Sequence, residues 1–359
     1  MAKVLCAMSG GVDSSVAAHL LREAGHEVTG VFLRLGPSGA AEPRGAHRGC
    51  CSIEDSRDAA RVASRLGIPY YALNSEGEFT RIIDHFVDEY HRGRTPNPCV
   101  LCNQWIKFGS LREKARLLGC DAVATGHYAR IDRDREEWRL LRGSDRAKDQ
   151  SYFLFLMPRD SLQDTLFPVG GLTKPEVREI ARSAGLPVAE KPESQEICFV
   201  PGNDYREVLR ARTPDRLRPG SLVDAEGRRL GEHPGYQSFT IGQRRGIGVA
   251  AGKPVYVTAI DPATNTVTIG SREDLRRSEV DVTDVQWTSR AAPAPGEEVR
   301  VEAQIRHRAT ARPGTVTAGA RGRAVLRFDE PQDAVTPGQA AVFYCGDVVL
   351  GGGWIEAAR

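Results

Sequence analysis

Two cysteines stand at C-x2-C spacing in TPNPCVLCNQWIKF, residues 95–108. They are Cys99 and Cys102, and the neighbouring Pro96 and Pro98 read as stiffeners of a loop. A third thiol, Cys198, stands far downstream in SQEICFV. A thiolate is both a nucleophile and a soft metal ligand, so grouped cysteines in a reducing compartment point to catalysis or metal binding. The chain carries 8 cysteines in 359 residues, which is not the pattern of a secreted disulfide scaffold. Cys6, Cys120 and Cys345 fall in or beside apolar runs and read as small buried hydrophobes. Cys50 and Cys51 adjoin a Gly-, Ala-, Pro- and Arg-rich stretch, 36–49, that reads as a loop. Nothing in their setting assigns them a role.

The other chemical signature is SGGVDSS, Ser9 to Ser15. It follows a short apolar run, KVLCAM, and precedes the amphipathic VAAHLLREAG. Gly10 and Gly11 let the backbone wrap closely around an anion. The first N–H groups of the helix then favour negative charge. Ser14 and Ser15 add hydroxyl donors, and Asp13 suits a Mg2+ ion or the orientation of a pyrophosphate. The pattern GxxxxGK(S/T) is absent, so γ-phosphate transfer by a Walker loop is not expected. The bland alternative is an ordinary strand–turn–helix corner. The whole heptapeptide in this setting favours a nucleotide site.

These groups need a frame. Up to the ATG of residues 124–126, strand-like runs alternate with helical ones, which predicts a parallel α/β sheet. Ser52 and Asp55 have capping-box spacing ahead of a helix ending near Gly67. Residues 174–185 read as one more helix. Beyond about residue 205 the runs are short, alternating and separated by Gly and Pro turns, which predicts a small linking domain and then a β-barrel. The expected domains are 1–204, 205–275 and 276–359.

Composition adds limits. With 40% hydrophobic and 27% charged residues the chain is an ordinary globular one. The N-terminus is neither a signal peptide nor an apolar span of about 20 residues, so a cytoplasmic protein with no membrane partner is expected. Net charge is only +2. Basic residues nevertheless cluster at Arg206, Arg210, Arg212, Arg216 and Arg218, at Arg244 and Arg245, and at Arg306, His307, Arg308 and Arg312. Such patches suit a polyanion, or else are solvated surface.

The heptapeptide resembles the loop of the pyrophosphatase-loop (PP-loop) ATPases. These cleave ATP between its α- and β-phosphates and adenylate a carbonyl oxygen. GRTPNPCVLCNQWIKF, ATGHYARI, LLRGSDRAKDQSYFL, SQEICFV, FTIGQRRGIG and VTPGQAAVFY follow in this order over nearly the whole chain. Together they resemble the tRNA-specific 2-thiouridylase family. The resemblance implies an ATP- and Mg2+-dependent transferase. It adenylates O2 of the wobble uridine, position 34, and replaces it with sulfur, releasing AMP and pyrophosphate. It implies tRNAs reading Lys, Glu and Gln codons as substrates, and a cysteine desulfurase or sulfur relay protein as donor. Matching residue by residue, Cys198 carries the sulfur as a persulfide and Cys102 attacks it. Met8, Ser9, Gly10, Gly11, Val12, Asp13, Ser14 and Ser15 form the ATP loop, with Leu33 at the adenine and Gly126 nearby. Asn97, Pro98 and Cys99 match the segment at the target base. His127, Lys148, Asp149, Gln150, Arg306, His307 and Gln339 match tRNA contacts. For His127 the plain alternative is a hydrogen-bonded histidine closing a strand, and for Lys148 and Gln150 it is surface.

One position departs from the family pattern. Many members hold an aspartate where this chain has Cys99. If the family fold holds, Cys99, Cys102 and Cys198 converge. Three thiolates suit a four-iron, four-sulfur cluster with one open iron, as in related tRNA thiolases. A persulfide enzyme with a tolerated Cys99 is the other reading. Outside sulfur transfer, a PP-loop amide or amine ligase and a non-catalytic RNA-binding protein are the alternatives.

Overall fold

A computed structural model describes residues 1–35, 53–193, 197–249 and 254–359. Ser52, Cys50, Cys51 and the 36–49 stretch lie outside the described residues.

The N-terminal strands are β1 (Lys3–Ala7), β2 (Glu27–Arg34), β3 (Tyr70–Asn74) and β4 (Ala122–Ala124), followed later by β7 (Thr165–Leu166). They form one parallel sheet in the order β3-β2-β1-β4-β7. Val4, Leu5 and Cys6 are fully buried because both faces of β1 are covered. Val4 and Cys6 point to α1 (Val12–Glu23), α2 (Ile53–Leu66) and α6 (Lys174–Ser183). Leu5 points the other way, to Leu111 and Ala115. The chain runs outward from β1 through β2 to β3, then returns to β4 on the other side of β1. The order therefore reverses between β1 and β4, which opens a crevice at their carboxyl ends.

After α3 (Glu76–His91), the cysteines fall in a helix, not in a loop. Asn97 occupies the N-cap position and Pro98 the first turn of α4 (Pro98–Leu101). Proline is pre-shaped for that position, so Pro98 begins the helix instead of stiffening a loop ahead of it. Cys102–Ser110 continues as a wider, π-type segment, and α5 (Leu111–Leu117) follows without a break. The Leu111 N–H reaches back to the Ile106 carbonyl, and Gly109 sits where a Cβ would lie 2.9 Å from the Gln104 oxygen. Such widened turns recur at functional sites.

The strands β5 (Ala129–Asp134) and β6 (Glu137–Arg142) form a hairpin within the N-terminal part. The sequence signal for it is weak, because the turn uses Arg135 in the left-handed region rather than Gly or Asn. α7 (Tyr205–Arg212) then leads to a four-stranded central sheet, β10-β11-β8-β9, built from β8 (Gly220–Val223), β9 (Arg229–His233), β10 (Tyr256–Asp261) and β11 (Thr266–Gly270).

The C-terminal strands are β12 (Arg276–Trp287), β13 (Glu298–Gln304), β14 (Arg312–Ala318), β15 (Ala324–Asp333), β16 (Ala340–Cys345) and β17 (Val348–Ala358). They run in the order β12-β15-β14-β13-β16-β17, and β17 pairs back to β12. The antiparallel sheet thus closes into a barrel around Val280, Val301, Leu326, Phe343 and Ile355. The early hairpin joins it, Leu141 pairing with Val348. Phe108, Leu140, Tyr152, Phe155, Val342 and Tyr344 form one core shared by the N-terminal part and the barrel.

Two of the expected buried thiols are placed differently. Cys6 is fully buried, and burial pushes its thiol up to about 12. Cys120 is only half-buried, at the exit from α5, and Cys345 is exposed at the end of β16, where strand alternation no longer faces the core.

Gly351, Gly352 and Gly353 allow β17 to close the barrel. A Cβ on Gly352 would lie 2.6 Å from the Ala341 carbonyl oxygen and 2.8 Å from the Phe155 ring. Gly352→Val should therefore destabilise the protein by about 3 kcal/mol, read as a lowered urea midpoint. Gly171→Ala, where a Cβ meets nothing within 4 Å, serves as the control. Equal midpoints for the two variants would refute this account of barrel closure.

Candidate active site

The phosphate loop joins β1 to α1 at the crevice. Gly10 has φ +73°, and a Cβ there would lie 2.2 Å from the Asp55 carbonyl oxygen. Only glycine lets the loop lie so close to α2. Ser9 N donates to Ser14 Oγ at 3.0 Å, and Ser15 Oγ donates to the Gly11 carbonyl at 2.7 Å. Ser15 is wholly buried, so its hydroxyl holds the turn rather than facing an anion. Met8 and Val12 are also core side chains and offer a ligand only their backbone. Gly126 follows β4 and backs directly onto the loop, its Cβ position 2.5 Å from Ser14 N. The residues expected at the nucleotide therefore gather at the crevice.

Several charged groups that carry no motif complete this loop. Asp13 Oδ1 accepts from the Tyr128 hydroxyl at 2.8 Å and from Lys174 Nζ at 2.7 Å. The Lys174 ammonium, almost wholly buried, also reaches Glu193 at 2.6 Å. Lys148 pairs with the same Glu193 at 2.6 Å. Burial pushes the Glu193 carboxyl up, but the two ammonium groups outweigh it and hold it below the ordinary carboxylate range. Burial and the Asp13 carboxylate raise the Tyr128 phenol, so it stays protonated and donates. Lys191 Nζ donates to the Gly10 carbonyl at 3.0 Å and pairs with Asp55 at 2.7 Å and Asp58 at 2.6 Å. Burial lowers its pKa, and the two carboxylates more than restore it. Lys191 and Glu193 thus tie the segment before Cys198 to the phosphate loop. Asp13 is part-exposed and fits Mg2+, which takes one or two carboxylates together with substrate phosphates.

Cys99, Cys102 and Cys198 are all half-buried. Cys102 and Cys198 pack with Trp105 and Trp354 around Leu35, Phe79, Ile82, Leu101 and Ile106. Leu33, expected at the adenine, borders the same cluster. Among the described residues no group of three His, Cys, Asp or Glu side chains is placed to hold a metal ion. The donor set for a three-cysteine cluster is therefore not assembled in this arrangement.

The expected tRNA contacts fall into two kinds. Some are used by the protein itself. His127 is nearly covered, its ring 2.6 Å from Thr125 Oγ1 and 3.3 Å from Lys107 Nζ. Burial first, and then Lys107, keep its imidazole neutral. Asp149 accepts from Gly143 N and Ser151 N, both at 3.0 Å, and Gln150 accepts from Tyr128 N at 3.0 Å. Arg306 and His307 instead lie on an open face. The His307 ring lies tilted against Phe153 at 4.3 Å between ring centres, and Arg306 is exposed beside it. Asn97 hydrogen-bonds the buried Tyr152, and Pro98 is buried. Gln339 Nε2 donates to the Thr95 carbonyl at 2.9 Å, pinning the barrel to the segment before Cys99.

Known proteins resemble this architecture throughout. Residues 2–202 match a family model described as "tRNA methyl transferase HUP domain". Residues 206–271 match a "tRNA methyl transferase PRC-barrel domain", and 277–355 an "Aminomethyltransferase beta-barrel domain". A curated protein of Moorella thermoacetica, "tRNA-specific 2-thiouridylase MnmA", is 51% identical over 98% of this chain and 99% of its own. One from Geobacter metallireducens with the same name is 51% identical over 99% of this chain and 97% of its own. The chain belongs to the tRNA-specific 2-thiouridylase family. Among solved structures, a 4-thiouridine synthetase–RNA complex with bound ATP is 18% identical, with a TM-score of 0.36, over 60% of this chain and 51% of that one. That likeness is too slight to carry an argument. Among the described residues of this family member, no helix is long and apolar enough to cross a membrane.

Lys174 neutralises two carboxylates at once, so Lys174→Met leaves Asp13 with the Tyr128 hydroxyl and no cation, and Glu193 with Lys148 alone. We expect a loss of about 3 kcal/mol at pH 7. Glu193 has a depressed pKa, so its contribution is full above the unfolded carboxylate value of about 4.3 and is lost as pH falls through the lower folded value. The gap between wild type and variant in denaturant midpoint should therefore narrow below about pH 4. A gap constant down to acid pH would contradict the assignment.

Proposed function

We propose that this protein adenylates O2 of the wobble uridine of tRNA with ATP and replaces it with sulfur. The observation that carries the reading is the phosphate loop with Asp13 held by Tyr128 and Lys174, beside a cluster that contains Cys102 and Cys198. Family membership, through relatives named for this reaction, supports it. The family model's name speaks of methyl transfer. A loop built for pyrophosphate and paired thiols favour sulfur.

Mg2+ at Asp13 would offset charge on the leaving pyrophosphate. The backbone of Ser9 to Ser15 would cradle the phosphates, and Lys174 would supply a further positive charge. The uracil O2 attacks the α-phosphorus, and pyrophosphate leaves. The ring then carries AMP, a better leaving group than oxygen. The terminal sulfur of a Cys198 persulfide attacks C2, and AMP departs. Cys102 thiolate attacks the Cys198 sulfur, freeing 2-thiouridine and leaving a Cys102–Cys198 disulfide for a thiol reductant. Arg306, His307 and Gln339 would meet the tRNA, with arginine on phosphate and the neutral groups on base or ribose. His127, Lys148, Asp149 and Gln150 would act mainly through the shape of that surface. The tRNAs would be those reading Lys, Glu and Gln codons, in the cytoplasm. A cysteine desulfurase or relay protein would supply the sulfur. The thiol arrangement favours the persulfide over the iron–sulfur reading, and no step here needs a cluster.

Asp13→Ala should abolish tRNA-dependent pyrophosphate release. Cys198→Ala should keep that release and lose 2-thiouridine entirely, measured by nucleoside mass spectrometry on protein purified without oxygen. Thiolation by Cys198→Ala would remove its assigned role. Activity that requires bound iron and all three cysteines would replace the persulfide with the cluster. Pyrophosphate release without tRNA would point instead to a ligase, and none at all to an RNA-binding protein.

A further inference from the structure

Lysines in this protein are paired with carboxylates. Lys3 lies 3.9 Å from Glu27, Lys114 3.9 Å from Glu78, Lys148 2.6 Å from Glu193, Lys174 2.7 Å from Asp13 and Lys191 2.7 Å from Asp55. Lys107, on the cysteine helix, is the exception among the described residues. No carboxylate of theirs lies within ion-pair distance of it, and its Nζ instead donates to His127 Nε2 at 3.3 Å. The side chain is half-buried. An ammonium withdrawn from bulk water without a counter-charge is unfavourable. Histidine takes one of its three N–H donors, and no other described residue is hydrogen-bonded to the rest. A full positive charge is thus held ready for an anion.

The position of Lys107 says which anion. It belongs to the π-type segment Cys102–Ser110, one widened turn beyond Cys102. His127, which holds it, follows Gly126 at the end of β4, and a Cβ on Gly126 would lie 2.5 Å from Ser14 N of the phosphate loop. A lysine ammonium can only donate, so His127 Nε2 accepts and Nδ1–H donates to Thr125 Oγ1 at 2.6 Å. The ring is wedged against Phe108 and Phe167, at 6.2 and 5.8 Å between centres. Both ring nitrogens are taken, and the imidazole fixes the ammonium between the phosphate loop and the cysteine helix. In the reaction proposed above, the group that must stand there is the α-phosphate. It is bonded to pyrophosphate on one side and receives the uracil O2 on the other.

We propose that Lys107 is a catalytic residue for adenylation, its ammonium binding a non-bridging oxygen of the ATP α-phosphate. The inference rests on the adenylation reading above. Negative charge on the α-phosphate repels an incoming oxygen, and a cation fixed there in a partly dry site is worth more than one in water. Lys174 cannot do this alone, since its charge is shared between Asp13 and Glu193. In the step, the O2 electron pair forms a bond to the α-phosphorus. The bond from that phosphorus to the bridging oxygen of pyrophosphate breaks, and its electron pair leaves with pyrophosphate. The N3 proton stays on the ring and Lys107 keeps its own protons, so no base, oxidant or reductant is required.

The test measures tRNA-dependent pyrophosphate release by the full-length wild type, Lys107→Met and Lys107→Arg. Each is given ATP and each diastereomer of α-thio-ATP, in which sulfur replaces one non-bridging α-oxygen. We expect Lys107→Met to slow release from ATP about a hundredfold. Lys107→Arg, which keeps the charge, should recover part of that loss. In the wild type one diastereomer should react more slowly than ATP, because sulfur accepts a hydrogen bond poorly. In Lys107→Met that difference should shrink toward none. The comparison is internal to each protein, so partial unfolding does not affect it. Unchanged release by Lys107→Met overturns the proposal. So does an equal slowing with ATP and both analogues, the mark of a purely structural role. Weaker tRNA binding with an unchanged rate at saturating tRNA overturns it in favour of a tRNA phosphate. Wild type that releases no pyrophosphate with tRNA defeats the adenylation reading itself.

Discussion

A single ammonium group holds the catalytic half of the molecule together. Lys174 lies between Asp13 on the phosphate loop and Glu193 on the segment leading to Cys198. The ammonium is nearly buried while both carboxylates are part-exposed, and each would repel the other without the cation. The charge does more than stabilise. It makes the position of the loop and the position of the segment before Cys198 depend on the same group. Lys191 repeats the device on the other side, joining Gly10, Asp55 and Asp58.

What the sequence displays and what it conceals follow from distance along the chain. The phosphate loop was legible because seven consecutive residues build it. Gly126 was named only through the family resemblance, and its close approach to Ser14 N gives the physical reason for a glycine there. Lys174 and Tyr128 were not, since they meet Asp13 across 161 and 115 residues and a lone lysine or tyrosine has no pattern. The domain order and parallel sheet followed from alternating strands and helices. The β5–β6 hairpin did not, because Arg135 takes a turn conformation that usually advertises itself with glycine or asparagine. The prolines around Cys99 suggested a loop, yet Pro98 is at the one helical position where proline is favoured.

The barrel is bound into the active part rather than appended to it. Thr95 N donates to the Pro337 carbonyl at 2.9 Å, and a Cβ on Gly338 would lie 3.0 Å from the Thr95 backbone. Arg94 pairs with both Glu89 and Glu356. The entry to the cysteine helix is therefore fixed from the barrel side, while its far end is fixed by Leu111 and Ala115 under the parallel sheet. The helix spans the two bodies and cannot shift in one without straining the other.

That span gives the helix two chemically distinct sides. Lys107 and Asn103 turn toward His127 and Phe153, among groups expected to meet RNA. Leu101, Gln104 and Trp105 turn toward a cleft that Trp287 and Trp354 also line. Cys102 packs with Trp105 in the cluster that also includes Cys198. The helix is held at both ends and carries different chemistry on its two sides. The π-type widening at Cys102–Ser110 adds to this, since extra backbone in one turn changes which residues share a face without breaking the helix.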